Sequence, residues 1–459
     1  MIQYRRCRRT ILRRIRLLFK RSSSKILLGL LIIIAPLCLS PKAANAIPAF
    51  ASRLGVPCKT CHEPIFPRLN RTGFLFRQLG YRTVGEMNTI VSPDSKTAES
   101  HNLGDFIAVS NTDRFSSIQN KGSATQSAAY VSGFSLYTSG PASKNFGFWA
   151  ELQPPTESFA AVASPGKGYA VTTGTSTSIS PWVRYYNGQS GDNFLFARVG
   201  KISIDGFQGN NSSIGSISPT LLTKSSPSLS GDGIELGYLL KNDVITAYVT
   251  EPSTSDSGTS TNKAIQYLHF IGKHDSSVQA LYETGEAPYV PSYSFSSSPS
   301  DKDLESGLPS NATPDGWNDY NALLLYANYR TPVGSNAINL LGGYSTGDNH
   351  NKVSTASFTE PGGDGGILEK TTYAGPKIGY HSYYAEFEYE VGSRLIPYVR
   401  YDNIHYGAAL SSIIDDNEYT TGIAYMVDEN IKLNLDYNNN NPEGGTHVNT
   451  FQTSVQFLW

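Results

Sequence analysis

Residues 383–390 read Tyr-Tyr-Ala-Glu-Phe-Glu-Tyr-Glu, a stretch in which the character of the side chains alternates at almost every position. The odd-numbered positions are apolar or aromatic, and the even-numbered positions are polar: Tyr383, Ala385, Phe387 and Tyr389 against Tyr384, Glu386, Glu388 and Glu390. Successive side chains of a strand point to opposite faces, so the pattern predicts a strand with one apolar and one acidic face. A soluble sandwich would bury the apolar face in its core, whereas a membrane barrel would turn it towards lipid.

Similar alternation recurs throughout the chain after residue 104, for example in 431–438, and predicts sixteen strands. An even number of strands of this length is typical of a barrel that crosses a bilayer with tilted strands. The predicted strands are 106–115, 128–138, 145–153, 179–187, 193–201, 232–240, 243–250, 263–273, 276–284, 320–329, 336–345, 379–390, 394–403, 418–427, 430–438 and 447–459.

The connections between these strands favour the membrane barrel over the sandwich, because tight turns alternate with longer connections. The tight turns are 139–144, 188–192, 241–242, 274–275, 330–335, 391–393 and 428–429. The long loops are 154–178, 202–231, 285–319 and 346–378, with intermediate ones at 116–127, 251–262, 404–417 and 439–446. Outer-membrane barrels have short periplasmic and long extracellular connections. The predicted fold class is mainly β, a sixteen-stranded antiparallel transmembrane barrel.

The last ten residues, Thr-Phe-Gln-Thr-Ser-Val-Gln-Phe-Leu-Trp, agree with this prediction. They alternate and finish on an aromatic residue, Trp459, in a way that resembles the recognition signal of outer-membrane barrels. The 28 tyrosines of the chain suit interfacial aromatic girdles.

The charge of the chain is strongly asymmetric. Residues 1–46 contain eleven Lys or Arg and no acidic residue, which leaves 37 − 11 = 26 basic against 38 acidic residues in 47–459. An acidic protein without a basic cluster is a poor candidate for binding nucleic acid.

Residues 1–46 have the composition of a signal peptide. A basic stretch precedes the apolar run 26–39, which at 14 residues is too short to span a bilayer comfortably. Ala44-Asn45-Ala46 is a small-x-small cleavage site, so we expect cleavage between Ala46 and Ile47. The alternative is an uncleaved membrane anchor.

Residues 56–64 read Val-Pro-Cys-Lys-Thr-Cys-His-Glu-Pro and contain Cys58 and Cys61, the only cysteines after residue 38. Cys-x-x-Cys-His is the attachment signature of c-type haem, in which two thiols bond the porphyrin edge and His62 binds the iron. A thioredoxin-like motif would need a βαβ context, zinc would need two more ligands, and chance stays an alternative. An export signal fits haem, which is attached outside the cytoplasm.

The residues that follow the motif predict a short helix over 67–79, with Pro67 in its first turn and Gly80 as its C-terminal cap. Leu69, Phe76 and Leu79 fall near one face, which we expect to cover the porphyrin; an ordinary core helix is the alternative. Met87 and His101 are the candidate distal ligands, beside an open position or a ligand from the barrel.

Residues 47–82 resemble the fused monohaem cytochrome–porins of the outer membrane, which include bacterial iron oxidases. The shared positions are Pro48, Phe50, Ala51, Gly55, Cys58, Cys61, His62, Pro67, Leu69, Gly73, Phe76, Gly80 and Tyr81. Residues 51–55 read Ala-Ser-Arg-Leu-Gly, where the iron oxidases tend to have Ala-Arg-x-Thr-Gly, so the electron donor stays open. The barrel matches that family only in architecture and length.

The resemblance implies three regions: a signal peptide at 1–46, a small α-helical monohaem c-type cytochrome domain at 47–102, and an outer-membrane barrel at 103–459. It implies one haem c that carries electrons from an extracellular donor such as Fe²⁺ to a periplasmic c-type cytochrome, an Fe(II):cytochrome c oxidoreductase activity. The cytochrome domain would lie on the periplasmic side of the membrane of a Gram-negative bacterium, or inside the barrel as a plug. Two alternatives stay open, a diffusion porin whose haem plug gates or senses, and a peroxidase-like haem enzyme.

Carboxylates on the predicted loop 285–319 and on the lumenal face of 386–390 could gather Fe²⁺, because oxygen ligands suit such cations. A solvated loop and an ordinary charged lumen are the alternative interpretations of the same residues.

Cleavage after Ala46 is directly testable. We expect the N-terminal peptide of the chain purified from membranes to begin at Ile47, and Ala46→Leu to block processing because the cleavage site requires a small residue. Mass spectrometry of both proteins measures this. A wild-type chain that retains residues 26–39 would instead show a membrane anchor.

Overall fold

The computed structural model describes residues 49–54, 56–62, 68–81, 107–120, 126–143, 145–154, 157–161, 170–173, 177–190, 193–203, 230–251, 261–272, 276–287, 318–348, 353–359, 367–374, 379–392, 394–407, 415–443 and 447–458. One compact unit comprises Ile47–Trp459. The predicted signal peptide, both candidate distal ligands and most of the predicted acidic loop 285–319 lie outside the described residues.

Sixteen of the described strands form the barrel, and each is antiparallel to its neighbours. They are β1 (Ile107–Asn120), β2 (Gln126–Pro141), β3 (Phe146–Gln153), β6 (Ser178–Ser190), β7 (Asn193–Ser203), β8 (Ser230–Leu240), β9 (Asp243–Thr250), β10 (Asn262–Ile271), β11 (Ser276–Ala287), β12 (Asn318–Val333), β13 (Asn336–Asp348), β16 (Gly379–Glu390), β17 (Leu395–Tyr406), β18 (Asp416–Asp428), β19 (Ile431–Asn440) and β20 (Val448–Leu458).

The barrel closes where β1 pairs with β20, in a continuous register that runs from Ser110 opposite Leu458 to Asn120 opposite Val448. Consecutive barrel strands pair all the way round, so among the described strands the barrel has no free edge. The sixteen strands predicted from the alternation are confirmed.

Four further strands lie in regions that the sequence predicts to be loops. They pair as two hairpins: β4 (Glu157–Ala161) with β5 (Ala170–Thr173), and β14 (Val353–Thr359) with β15 (Ile367–Ala374). The first hairpin extends the sheet, because β4 also pairs with β2. The prediction of loops was therefore wrong at these residues, whose small and polar side chains hide the strand pattern.

The outer surface of the barrel is apolar and the inner surface is polar. On β8, Ile234, Leu236 and Tyr238 are 49, 55 and 45% exposed, whereas Glu235 between them is fully buried. An apolar surface that surrounds a closed barrel is the arrangement by which a barrel meets lipid. A soluble sandwich would bury this apolar face, so its exposure decides in favour of the membrane barrel over the sandwich.

The two ends of the barrel differ in the length of their connections. At one end, which we call the short-turn end, neighbouring strands join through a few residues, as between Leu240 and Asp243 or between Asp428 and Ile431. At the other end, the connections include 204–229 and 288–317. The predicted alternation of short and long connections is confirmed.

A small helical part, which we call the plug segment (the described residues 49–54, 56–62 and 68–81), packs against the inner wall of the barrel. It contains α1 (Ala49–Leu54), a 3₁₀ turn (Cys58–Thr60) and α2 (Arg71–Gln78). Phe74 and Leu79 of this segment join a buried cluster whose barrel members are Tyr186, Phe194, Phe196, Leu239, Val244, Leu268 and Phe270. None of the helices within the described ranges is long and apolar enough to cross a bilayer.

Helix α2 begins later than the sequence predicts. The expected start is Pro67, but the side chain of Asn70 accepts a hydrogen bond from the Gly73 amide, and this cap starts the helix at Arg71. The predicted cap at the other end is confirmed, because Gly80 has a φ of +71°, where a side chain would be strained.

The lipid-facing surface predicts a depth-dependent effect of charge. Leu236→Arg, in the middle of β8, should lower the free energy of unfolding by about 2–4 kcal/mol, and Leu240→Arg, at the last residue of the strand, by about 0–1 kcal/mol. Denaturant unfolding in lipid vesicles measures both. Equal costs would contradict a lipid-facing β8.

Candidate functional site

The Cys-x-x-Cys-His motif folds as one tight turn. The Cys61 amide donates to the Cys58 carbonyl at 3.1 Å, and the His62 amide donates to the same oxygen at 3.0 Å. Both cysteines are free thiols and partly buried. This turn brings two sulfurs and one imidazole to the same short piece of backbone, as the sequence predicts.

These three side chains line one cavity of about 320 Å³, a size within the usual range of ligand sites. The rest of the lining is almost entirely apolar or aromatic: Phe50, Ala51, Leu54, Val56, Pro57, Leu69, Gly73, Phe76, Arg77, Tyr81, Ala108, Tyr137, Trp149 and Leu458. An apolar cavity with two thiols and an imidazole could hold a flat, hydrophobic cofactor through Cys58, Cys61 and His62.

The hydrogen bond of His62 indicates which of its two ring nitrogens carries the proton. Nδ1 lies 3.1 Å from the Arg68 carbonyl oxygen. Because a carbonyl oxygen only accepts, Nδ1 carries the proton, and Nε2 is the nitrogen with the lone pair in the neutral ring. This is the tautomer that a metal-binding imidazole needs.

Asn70 organises the turn and the helix together. Its side-chain oxygen caps α2, while its side-chain nitrogen donates to the carbonyls of Lys59 at 3.3 Å and Thr60 at 3.1 Å. Its backbone amide donates to the Cys61 carbonyl at 3.0 Å. Asn70 is not among the residues predicted from the sequence, although an Asn just before a helical pattern is a recognised cap signal.

Gly73 allows the helix to touch the motif. A Cβ atom at this position would lie 2.1 Å from the carbonyl oxygen of Cys61, which is far inside van der Waals contact. The third residue of α2 must therefore lack a side chain for the helix and the turn to pack as they do.

Burial raises the pKa of the Cys58 thiol to about 11, and the nearby carboxylate of Glu429 adds to the shift. Burial also raises the pKa of the Cys61 thiol. A raised thiol pKa means that both groups stay protonated near neutral pH, and the thiol is the less reactive form of cysteine.

Stacked aromatic rings join the plug segment to the barrel beside the cavity. The ring centroids of Phe50 and Tyr81 are 4.9 Å apart, those of Tyr81 and Trp182 are 5.8 Å apart, and those of Trp182 and Trp149 are 6.0 Å apart. The Arg184 guanidinium lies 5.0 Å from the Trp182 ring centroid. These contacts pack one wall of the cavity against the barrel.

The cavity lies at the short-turn end of the barrel. Ala108 near the start of β1 and Leu458 at the end of β20 both line it. The Arg71 guanidinium donates to the carbonyl of Lys241, in the tight connection between β8 and β9, at 2.9 Å. Glu429, which acts on Cys58, also belongs to a tight connection.

Buried polar bonds tie the plug segment to two parts of the barrel wall. On β6, the Arg184 guanidinium donates to the Gln78 side chain at 2.6 Å and pairs with Glu235 at 2.8 Å. On β16, Glu388 accepts from the Arg68 guanidinium at 2.8 and 2.7 Å. Although burial lowers the pKa of Arg68, the Glu388 carboxylate outweighs it, so that the pKa of Arg68 is raised.

The predicted cofactor-facing residues separate into two groups. Leu69 and Phe76 line the cavity, whereas Leu79 does not and instead packs against the barrel wall. The expectation that the three share one face is therefore wrong for Leu79, the residue after α2, and the contact of Leu69 and Phe76 with a porphyrin stays a prediction. Met87 and His101 lie outside the described residues, so their predicted role as distal ligands stays a prediction.

The lumenal glutamates predicted to attract cations lie on the inner face of β16. Glu388 pairs with Arg68, and Glu390 pairs with Arg330 at 2.8 Å. Across the described part of the chain, no group of three or more His, Cys, Asp or Glu side chains is placed to hold a metal ion.

No protein-family model and no curated protein matches this chain. Among solved structures, it is similar to a loop-deletion mutant of OmpT, an outer membrane protein of Vibrio cholerae, with a TM-score of 0.49, 11% identity, and 77% and 99% of the two chains covered. It is also similar to Pseudomonas putida OprB (0.49, 8%, 77% and 94%) and to Pseudomonas aeruginosa OccK5 (0.42, 10%, 77% and 97%).

The contact at Gly73 predicts a severe effect of one methyl group. Gly73→Ala should separate α2 from the motif turn and lower the melting temperature by several degrees, since its Cβ would overlap the Cys61 carbonyl. Gly133→Ala on β2, where an added Cβ has no neighbour within 4 Å, is the matched control. Equal melting temperatures for the two variants would contradict this packing.

Proposed function

We propose that this protein transfers electrons across an outer membrane through one haem c, bonded to Cys58 and Cys61 and bound by His62. The donor is an extracellular reductant, with Fe²⁺ as the first candidate, and the acceptor is a periplasmic c-type cytochrome or similar carrier. The observation that carries the proposal is the apolar cavity, because it contains both thiols and the imidazole at once. A haem supplies one-electron chemistry when it is bound in such a site.

Different residues of the chain would hold different parts of this cofactor. Cys58 and Cys61 would hold the haem through thioether bonds to its two vinyl groups, and because each bond is an addition of S–H across a double bond, no oxidant would be needed. His62 would present Nε2 to the iron, because Nδ1 donates to the Arg68 carbonyl. Leu69, Phe76 and Trp149 exclude water, and burial is one of the means by which a protein adjusts a haem potential.

The barrel supports a location in the outer membrane, with the cavity towards the periplasm. Its apolar exterior suits a bilayer, and short connections face the periplasm in outer-membrane barrels. Because the cavity lies at the short-turn end, this orientation gives a periplasmic carrier the nearer approach.

The position of the cavity at the short-turn end also restricts which extracellular donors can reach it. An apolar band about 25 Å tall separates the two ends of an outer-membrane barrel. A small hydrated ion can enter the lumen of a sixteen-stranded barrel, but a mineral surface or a large protein cannot.

A second function has one observation in its favour. The plug segment is bonded to both β6 and β16 inside the barrel, so it could gate diffusion and use the haem as a sensor. Conductance through reconstituted barrels separates the two functions. A conductance that changes with the redox state of the haem would support the gate.

The proposal predicts one covalently bound haem per chain in protein purified from the outer membrane, and its reduction by Fe²⁺. Cys58→Ala/Cys61→Ala should abolish covalent haem, because no thiol remains to form a thioether. Pyridine-haemochrome spectra measure the haem, and stopped-flow absorbance measures its reduction. Dithionite is the control reductant.

Two outcomes would contradict different parts of this proposal. Wild-type protein without covalent haem would overturn the cofactor. Haem that dithionite reduces but Fe²⁺ leaves oxidised, from acidic to neutral pH, would keep the cofactor and exclude iron as the donor.

A further inference from the structure

We propose that Glu388, on the barrel wall, is a positioning residue for His62 and acts on it through Arg68. This inference rests on the proposed haem at His62, and it adds a barrel residue to the control of that haem. It assigns to a lumenal carboxylate a role other than collecting cations.

The first link is the ion pair between the barrel and the plug segment. Both oxygens of Glu388 accept from one guanidinium nitrogen of Arg68, at 2.8 and 2.7 Å. The Arg68 side chain is 8% exposed and the Glu388 side chain is fully buried. A buried, charge-assisted bond of this kind is strong and specific in geometry, and the loss of one partner leaves a buried charge without compensation.

The second link lies within the same residue. The carbonyl of Arg68 accepts from Nδ1 of His62 at 3.1 Å, so the residue that the barrel holds by its side chain holds the imidazole by its backbone. The next residue, Leu69, forms an isolated antiparallel β-bridge with His62, which holds the backbone at these two positions side by side. A displacement of Arg68 must therefore displace or weaken the hydrogen bond to His62.

The pair also completes the attachment of the plug segment. The opposite side of this segment packs on β6 to β10 through Phe74 and Leu79. Strand β16 is the fourth strand beyond β10 in barrel order, so Glu388 holds the motif from a different part of the wall. The apolar cluster fixes α2, and the ion pair fixes the residues next to the imidazole.

The barrel offers a matched control two residues away. Glu390 lies on the same face of β16, pairs with an arginine, and shares the Asn339 side chain with Glu388, at 2.6 Å and 3.1 Å respectively. Its partner, Arg330, belongs to β12 of the barrel and not to the plug segment. Glu390→Gln therefore removes a comparable lumenal charge and leaves the link to His62 intact.

The test compares E388Q, R68Q and E390Q in the haem-loaded, full-length protein. A hydrogen bond from Nδ1 makes the imidazole a stronger electron donor to iron, so its loss should raise the reduction potential in both E388Q and R68Q. Charge alone would shift the two variants in opposite directions, since one removes a negative and the other a positive group. We expect at least a threefold change in the reduction equilibrium, about 30 mV at 59 mV per tenfold change for one electron.

Two further measurements accompany the potential. The iron–histidine stretching frequency in resonance Raman spectra should fall in E388Q and R68Q and stay at the wild-type value in E390Q. The double variant R68Q/E388Q should shift the potential no further than either single variant, because both remove the same link. R68Q keeps every barrel side chain, so it tests the inference if E388Q does not assemble.

A measurement without haem separates this inference from the proposed function. In full-length protein produced without haem maturation, alkylation of Cys58 and Cys61 should be at least threefold faster in E388Q than in wild type and unchanged in E390Q. Wild-type protein that never carries haem would overturn the proposed function but leave this test in place. Potentials that move in opposite directions, or equal alkylation rates in E388Q and E390Q, would overturn the inference.

Discussion

In a bilayer, every backbone amide and carbonyl must form its hydrogen bond within the protein, and the rest of the structure depends on this constraint. Pairing of β1 with β20 meets that need, because it leaves the described barrel strands without an open edge. The surface of this closed barrel is the inverse of that of a soluble protein. Apolar side chains face outwards, and charged side chains are confined to the lumen. Several of the confined charges are paired, as Arg184 is with Glu235 and Arg330 with Glu390, because burying a charge without a partner is costly.

The plug segment makes use of this polar interior. Its apolar residues pack on a local cluster on β6 to β10, while two of its polar attachments use charged side chains of the inner wall, Arg184 and Glu388. The same residues thus satisfy the barrel and hold the Cys-x-x-Cys-His turn. Unlike an isolated helical domain of this size, the plug segment does not need a complete core of its own, because its apolar residues pack against those of the wall.

Much of this could be predicted from the sequence, and the reason is periodicity. The two-residue alternation in 383–390 gives both the strand and its inner face, and the lengths of the connections give the membrane topology. The motif turn was predictable because three chemically distinctive residues are adjacent. The contacts of Arg68 and Leu79 were not predictable, because they depend on which part of the wall the segment meets, and the partner of Arg68, 320 residues away, has no local signal. The hairpins β4–β5 and β14–β15 were missed because their residues lack the contrast of apolar and polar faces.

The lining of the cavity also carries information about the order of assembly. Tyr137 and Trp149 come from early strands, but Leu458 comes from the end of the last one, and Ala108 lies beside it across the seam. The cavity wall is therefore incomplete until β20 pairs with β1. Whatever occupies the space beside Cys58, Cys61 and His62 is enclosed by the same pairing that closes the barrel.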